Sequence, residues 1–194
     1  MPDLMNGMLD AASANAPHWL QERQSVGRKV WVEADLPTRK TEAWKYTSLH
    51  ALNRSFDSAE PSAASKAELG FEYPHFGGCK LVFVDGYLRA DLSRMDIPAG
   101  VQLVRFADAD EAQTELIQRN LGSVVDSSRH LFANLNDAAL NDGVFLQIDA
   151  ETDVTEPLHL IWLTTTQPTA FTVNQRLLVL SGANSRASLI EHCV

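Results

Sequence analysis

The stretch Leu131-Phe-Ala-Asn-Leu-Asn-Asp-Ala-Ala-Leu-Asn-Asp-Gly-Val-Phe-Leu-Gln-Ile148 changes periodicity halfway along. Its first part places Leu131, Phe132, Leu135 and Leu140 at helical spacing, which predicts a helix over 129–140. Asn141-Asp142-Gly143 supplies the stop, because Gly and Asn take the conformations that end a helix. From Val144 the pattern is that of strands: Val144–Ile148, Leu158–Thr164, Phe171–Leu180 and Ala187–Val194, each bounded by Gly, Pro, Asn or Asp. No helical pattern intervenes. Strands at this spacing fit a sandwich, a barrel or a β-solenoid, and no strict sequence repeat chooses among them.

Upstream, Asp108 to Arg119 reads as a helix with acids at its start and Arg119 near its end, as the helix dipole favours. Val101–Phe106 reads as a short strand. Leu81–Val84 is an apolar β-type run and Asp85-Gly86 a tight-turn signal, so a hairpin with a weaker return strand at Tyr87-Leu88 is expected. Residues 53–70 are small and polar and read as a surface linker, with a helical turn near Ala64–Leu69. Pro17 to Val32 reads as a helix carrying Trp19, Leu20, Arg23, Val26, Val30 and Trp31 on one side, with Gly27 weakening it. Residues 1–15 are small and polar-rich and read as frayed at their start.

Between that helix and the linker lies Leu36-Pro-Thr-Arg-Lys-Thr-Glu-Ala-Trp-Lys-Tyr-Thr47, where aromatic, basic and turn-forming residues meet most densely. Pro37 ends the arriving helix, and Thr38 or Thr41 can cap a short new one that Leu49–Leu52 could extend. Trp44 and Tyr46 read as local core anchors with solvated cations around them. The competing reading is a cation–aromatic site for an anionic ligand.

This stretch resembles the N-terminal signature of the SufB/SufD family of SUF iron–sulfur cluster assembly proteins, on its SufD side. Residues 81–93, Leu-Val-Phe-Val-Asp-Gly-Tyr-Leu-Arg-Ala-Asp-Leu-Ser, resemble the family's strand–turn–strand segment. Residues 131–148 resemble the segment by which these proteins enter a right-handed β-helix. The resemblance implies an α+β chain in three parts: an N-terminal helical region with linker (1–70), a small mixed α/β segment (71–142) and the first rungs of a right-handed parallel β-helix (143–194). It implies a non-catalytic role beside two partners, the paralogue SufB and the ATPase SufC, mainly through regions beyond this chain. An iron–sulfur cluster is implied for the complex and none for this chain alone. Family members run to roughly twice this length, so an N-terminal fragment or a truncated form is expected.

The net charge of −9 and pI near 5.0 argue against nucleic-acid binding and against docking on anionic lipid. Two cysteines, Cys79 and Cys193, make no disulfide framework and fit a reducing cytoplasm. Residues 2–15 hold Asp3 and Asp10, no cation and no sustained apolar run, so no signal peptide is expected. No stretch has the roughly 20 apolar residues of a membrane span.

Candidate chemistry is sparse, and the expected set of catalytic, cofactor and metal residues is empty. His75 and Cys79 are separated by Gly77-Gly78, which breaks any helix that would align them. His192 and Cys193 are neighbours in a strand and point to opposite faces. A cluster with four thiolate ligands is beyond two cysteines, although a site shared with a partner nominates Cys193. Asp149, Glu151 and Asp153 read as a solvated turn. Ser127-Ser128-Arg129-His130 reads as a helix start, and Gly77-Gly78 lacks the Lys-Ser/Thr of a phosphate loop. His50, His130 and His159 read as structural. The alternative function is a carbohydrate-active hydrolase, for which Trp162 beside Glu156 and His159 is the hint; it needs two of Asp149, Asp153 and Glu156 enclosed across a cleft. The terminal strand places Leu189, Glu191 and Cys193 on one face and Ser188, Ile190, His192 and Val194 on the other, as a strand buried between layers would. Its unfinished edge suggests a homodimer.

Overall fold

A computed structural model describes residues 6–52, 54–65, 70, 72, 74–127 and 130–194. Among these the fold is α+β, with four α-helices and nine strands: α1 (Asn6–Asn15), α2 (Gln21–Glu33), α3 (Glu111–Asn120), α4 (Leu131–Ala139), β1 (Asp57–Ser58), β2 (Lys80–Val84), β3 (Tyr87–Leu88), β4 (Val101–Arg105), β5 (Val144–Ile148), β6 (Leu158–Leu163), β7 (Phe171–Thr172), β8 (Leu177–Ser181) and β9 (Leu189–Cys193). Contacts group the chain into two interleaved units. One comprises 1–58, 106–143 and 167–176; the other comprises 59–105, 144–166 and 177–194.

The first unit is helical. Met8, Leu9 and Ala12 of α1 are buried and join Trp31, Phe56, Leu135, Ala138 and Ala139 in one core. The sequence did not predict this helix; the fraying expected at the start of the chain falls ahead of Asn6, outside the described residues. Ala-rich sequence holds a helix well, and three apolar residues on one side give it a face to bury. The buried side of α2 is Leu20, Gln24, Gly27 and Trp31, not the stripe through Val26 and Val30, which are exposed. The cause is Gly27. Its bare Cα lets α2 approach α4 until the Asn134 carbonyl oxygen and the Ala138 amide lie where a Cβ would be. The residue that weakens the helix in isolation selects its packed face. Buried Gln24 donates through Nε2 to the carbonyl of Leu140 at 2.8 Å and to that of Ala12 at 3.4 Å, serving an end-of-helix acceptor on α4.

The stretch read as linker contributes more than surface. Phe56 is buried, and β1 pairs in parallel with β7. The Ala64–Leu69 turn falls partly outside the described residues. Trp44 is half-buried at the end of the short 3₁₀ turn Glu42–Trp44, its ring 5.3 Å from Phe132, while Tyr46 is 91% exposed. The reading of Tyr46 as a core anchor is corrected.

In the second unit the hairpin is as expected: β2 and β3 are antiparallel, and Asp85 and Gly86 both take positive φ (51° and 91°), as a two-residue type I′ turn requires. Two sheets form, with strand orders β3-β2-β6-β9 and β4-β5-β8. The pairings β2/β6, β6/β9 and β5/β8 are parallel; Val144 stands opposite Leu177 and Leu158 opposite Leu189. Strands β2, β5 and β6 are almost wholly buried and rich in Leu, Val, Ile and Phe, as strands covered on both faces are. Strand β9 differs. It alternates exposed and half-buried residues, so the layer expected over Leu189, Glu191 and Cys193 is absent among the described residues.

Phe171–Leu180 is two strands, not one. Residues between β7 and β8 turn their side chains to partners in the first unit: Asn174 donates to the Thr172 hydroxyl at 2.9 Å, and Arg176 reaches Asn136 and Asp137.

Candidate functional site

The densest buried charge lies in the first unit. Asp137 in the last part of α4 is nearly inaccessible. Arg176 Nη1 stands 3.0 Å and Arg23 Nη1 3.5 Å from its carboxylate, and the Ser127 hydroxyl donates to it at 2.6 Å. Arg176 also donates through Nε to Asn136 Oδ1 at 3.0 Å. Arg23 donates to the Leu121 carbonyl, and Asn134 Nδ2 to the Ser127 carbonyl at 2.5 Å. Burial pulls the Arg176 guanidinium below its ordinary pKa, while Asp137 opposes that shift. A cavity of about 440 Å³ opens beside this knot, lined by Trp19, Glu22, Arg23, Gln118, Ser127 and Asp137 among others.

Chemically this is a lock. Asp137 accepts hydrogen bonds from Ser127 and Arg23 and is ion-paired with Arg176 as well, and a carboxylate neutralised by two guanidinium groups is a poor general base. Two cations on one buried carboxylate tie α2, α4 and the segment before β8 together. Sequence reasoning missed Asp137, Asn134 and Arg176. The available signal was two polar residues, Asn134 and Asp137, on the packed side of α4 beside Leu135, Ala138 and Ala139; the cations that meet Asp137 lie 114 and 39 positions away in sequence and could not be named from spacing.

The residues weighed from sequence are not brought into a reactive group. Asp149, Glu151, Asp153 and Glu156 are all exposed, and Glu151 accepts from Asn184 at 2.6 Å. An acid–base pair needs enclosure, which these lack. Trp162 stacks on Phe83 at 4.5 Å and donates to Glu191 at 2.9 Å, so its face is not offered as a sugar platform. Cys79 is buried, and burial first, then Asp96, raises its thiol pKa. Such a thiol is unreactive. Cys193 is exposed, next to His192, whose ring stacks on buried His159 at 5.9 Å. Among the described residues no group of three or more His, Cys, Asp or Glu could hold a metal ion, and no helix is long and apolar enough to cross a membrane. Ser128 and Arg129 lie outside the described residues.

No catalytic geometry thus identifies the chain, and likeness to known proteins does. Residues 3–160 match the family described as the SufBD protein N-terminal region. The chain belongs to the SufB/SufD family. An iron–sulfur cluster assembly SufBD family protein of Synechocystis sp. is 31% identical over 163 residues, covering 80% of this chain and 35% of that protein. A SufBD family protein of Porphyra purpurea, also described as an iron–sulfur cluster assembly protein, is 33% identical over 102 residues, covering 49% of this chain and 19% of that protein. This SufB/SufD-family chain therefore spans about a third or less of the length of these relatives.

Proposed function

We propose that the chain is a non-catalytic, SufD-like component of the SUF iron–sulfur cluster assembly complex, acting in the cytoplasm beside a SufB-type paralogue and a SufC-type ATPase. The observation that carries this reading is the family match over residues 3–160. The signature at residues 36–47 favours the SufD side. The parallel pairs β5/β8 and β6/β9 support a chain path that returns to the same two sheets in successive turns, as the first rungs of a right-handed β-helix would. The cluster belongs to the complex, since two cysteines fall short of the usual four thiolates. Exposed Cys193 is the candidate for a ligand shared with a partner. Strand β9, at a sheet edge, is the surface through which the isolated chain pairs with itself.

The test is cluster loading. A SufB-type paralogue and a SufC-type ATPase are co-expressed with and without this chain, and iron and sulfide are measured on the purified complex. Higher loading with the chain is expected, with no ATP turnover by the chain alone and no salt-resistant binding of SufC to it. Equal loading in both cases, or a cluster held stably by the chain alone, overturns the reading.

A further inference from the structure

Residues 36–54 hold four cations, Arg39, Lys40, Lys45 and Arg54, against one carboxylate, Glu42, a net charge of +3. The whole chain carries −9, so the remainder carries −12. This tract is a local reversal of sign on an acidic protein.

None of its cations is neutralised by a carboxylate among the described residues, although the Arg54 guanidinium stands 5.4 Å from the Phe56 ring centroid. Arg23, Arg28, Arg89, Arg94 and Arg176 each pair with a carboxylate. Among the described residues, Arg39, Lys40, Lys45 and Arg54 form no ion pair, and all four are exposed. Tyr46, a large ring with little to gain from water, stands 91% exposed between them, with the Lys45 ammonium 5.4 Å from its centroid.

The tract is also shaped. The Thr41 amide donates to the Thr38 carbonyl at 2.8 Å, Trp44 to Thr41 at 2.8 Å, and Thr47 to Trp44 at 3.0 Å. The Thr38 amide donates to the Thr41 hydroxyl, and Lys40 to the Thr38 hydroxyl. Trp44 then fastens the turns to Phe132. A loop fixed at its base, with cations and one tyrosine presented at its surface, loses little entropy on binding. Tyrosine and arginine are, with tryptophan, the side chains enriched where interface energy is concentrated.

We propose that residues 39–46 form a docking surface for an acidic segment of a partner protein, with Arg39, Lys40 and Lys45 meeting carboxylates and Tyr46 packing against the segment's apolar atoms. The acidity of the rest of the chain selects this class. A nucleic-acid strand or an anionic bilayer continues beyond so small a tract and meets the repulsion of the −12 remainder. A short acidic segment is confined to the tract.

Fluorescence anisotropy of a short labelled polyglutamate peptide, titrated with the purified chain, tests this. Oligo-dT and phosphatidylcholine–phosphatidylglycerol vesicles are run in parallel. Salt-sensitive peptide binding is expected, weakened by about tenfold or more in Arg39→Glu/Lys45→Glu and by a smaller factor in Arg39→Gln/Lys45→Gln and in Tyr46→Ala. Lys29→Glu, an exposed cation on α2, should leave it unchanged. Absence of peptide binding, or binding that the tract's substitutions leave intact, overturns the proposal. So does tighter binding of oligo-dT or vesicles, and so does self-association of the chain that the same substitutions abolish, which would assign the surface to a second copy.

Discussion

Gly27 of α2 lies so close to Ala138 of α4 that a Cβ at position 27 would stand 2.7 Å from the Ala138 amide nitrogen. The Asn134 carbonyl oxygen is equally near, and both neighbours are helix backbone, which cannot step aside. Intrinsic propensity alone would have Gly27→Ala stabilise the helix by about 1 kcal/mol. The crossing reverses the sign: a loss of about 1–3 kcal/mol is expected, as for other overpacked sites. Urea denaturation of the variant decides between the two signs.

Asp137→Asn should cost about 3–5 kcal/mol, because it leaves Arg23 and Arg176 without their shared anion in a poorly solvated place. The denaturation midpoint reads this. A change within the range of a surface substitution, about 0.5 kcal/mol, would show that water already neutralises the knot.

What the sequence disclosed and what it withheld divide along a physical line. Strands β2, β5 and β6 and the Asp85-Gly86 turn were legible because local chemistry sets them: short apolar runs bounded by turn residues, and two residues that tolerate positive φ. The packed face of α2 was not, since Gly27 is chosen by a helix distant in sequence. Nor was the break between β7 and β8, where Arg176 leaves the strand pattern for Asp137. The family likeness was legible in residues 36–47 and 131–148, yet the anchoring of the first stretch was misjudged: Trp44 is half-buried, and Tyr46 faces solvent. Of the groups around Asp137, Arg23 was noticed only as one residue of a helix face and Ser127 only as part of a helix start.

Trp44→Ala should accordingly cost less than the ~3–5 kcal/mol of a fully buried aromatic. About 1–2 kcal/mol is expected, from loss of its packing on Phe132. Chemical denaturation measures it, and a loss above 3 kcal/mol would mean that the whole 36–47 tract unfolds with the ring.

His159 makes the second unit acid-sensitive. Burial first, then His192 and Lys80, lowers its pKa below the ordinary 6.5, so the fold prefers the neutral ring. Above pH 6.5 both folded and unfolded states hold it neutral and its effect on stability is complete. Below that value the unfolded chain takes up the proton first, and stability falls as pH drops toward the folded pKa. Unfolding midpoints on either side of pH 6.5 should show this decline, and His159→Leu should flatten it. An unchanged slope in the variant would assign the acid sensitivity to other groups.

Strand β9 ends a sheet, and Leu189, Val194 and, on β8, Val179 are exposed near the two open edges. Size exclusion with light scattering should show a concentration-dependent dimer of the isolated chain, with slowed amide exchange at residues 189–193. A monomer at high concentration with fast exchange there would contradict edge pairing.

The family match points to a part in iron–sulfur cluster assembly. That part is tested most directly by the specific activity of a cluster-dependent dehydratase, per unit of its polypeptide, in host cells deleted for this gene and grown under iron limitation. A fall in activity at unchanged polypeptide level is expected, reversed when the gene is restored. Equal activity in deleted and undeleted cells would contradict it.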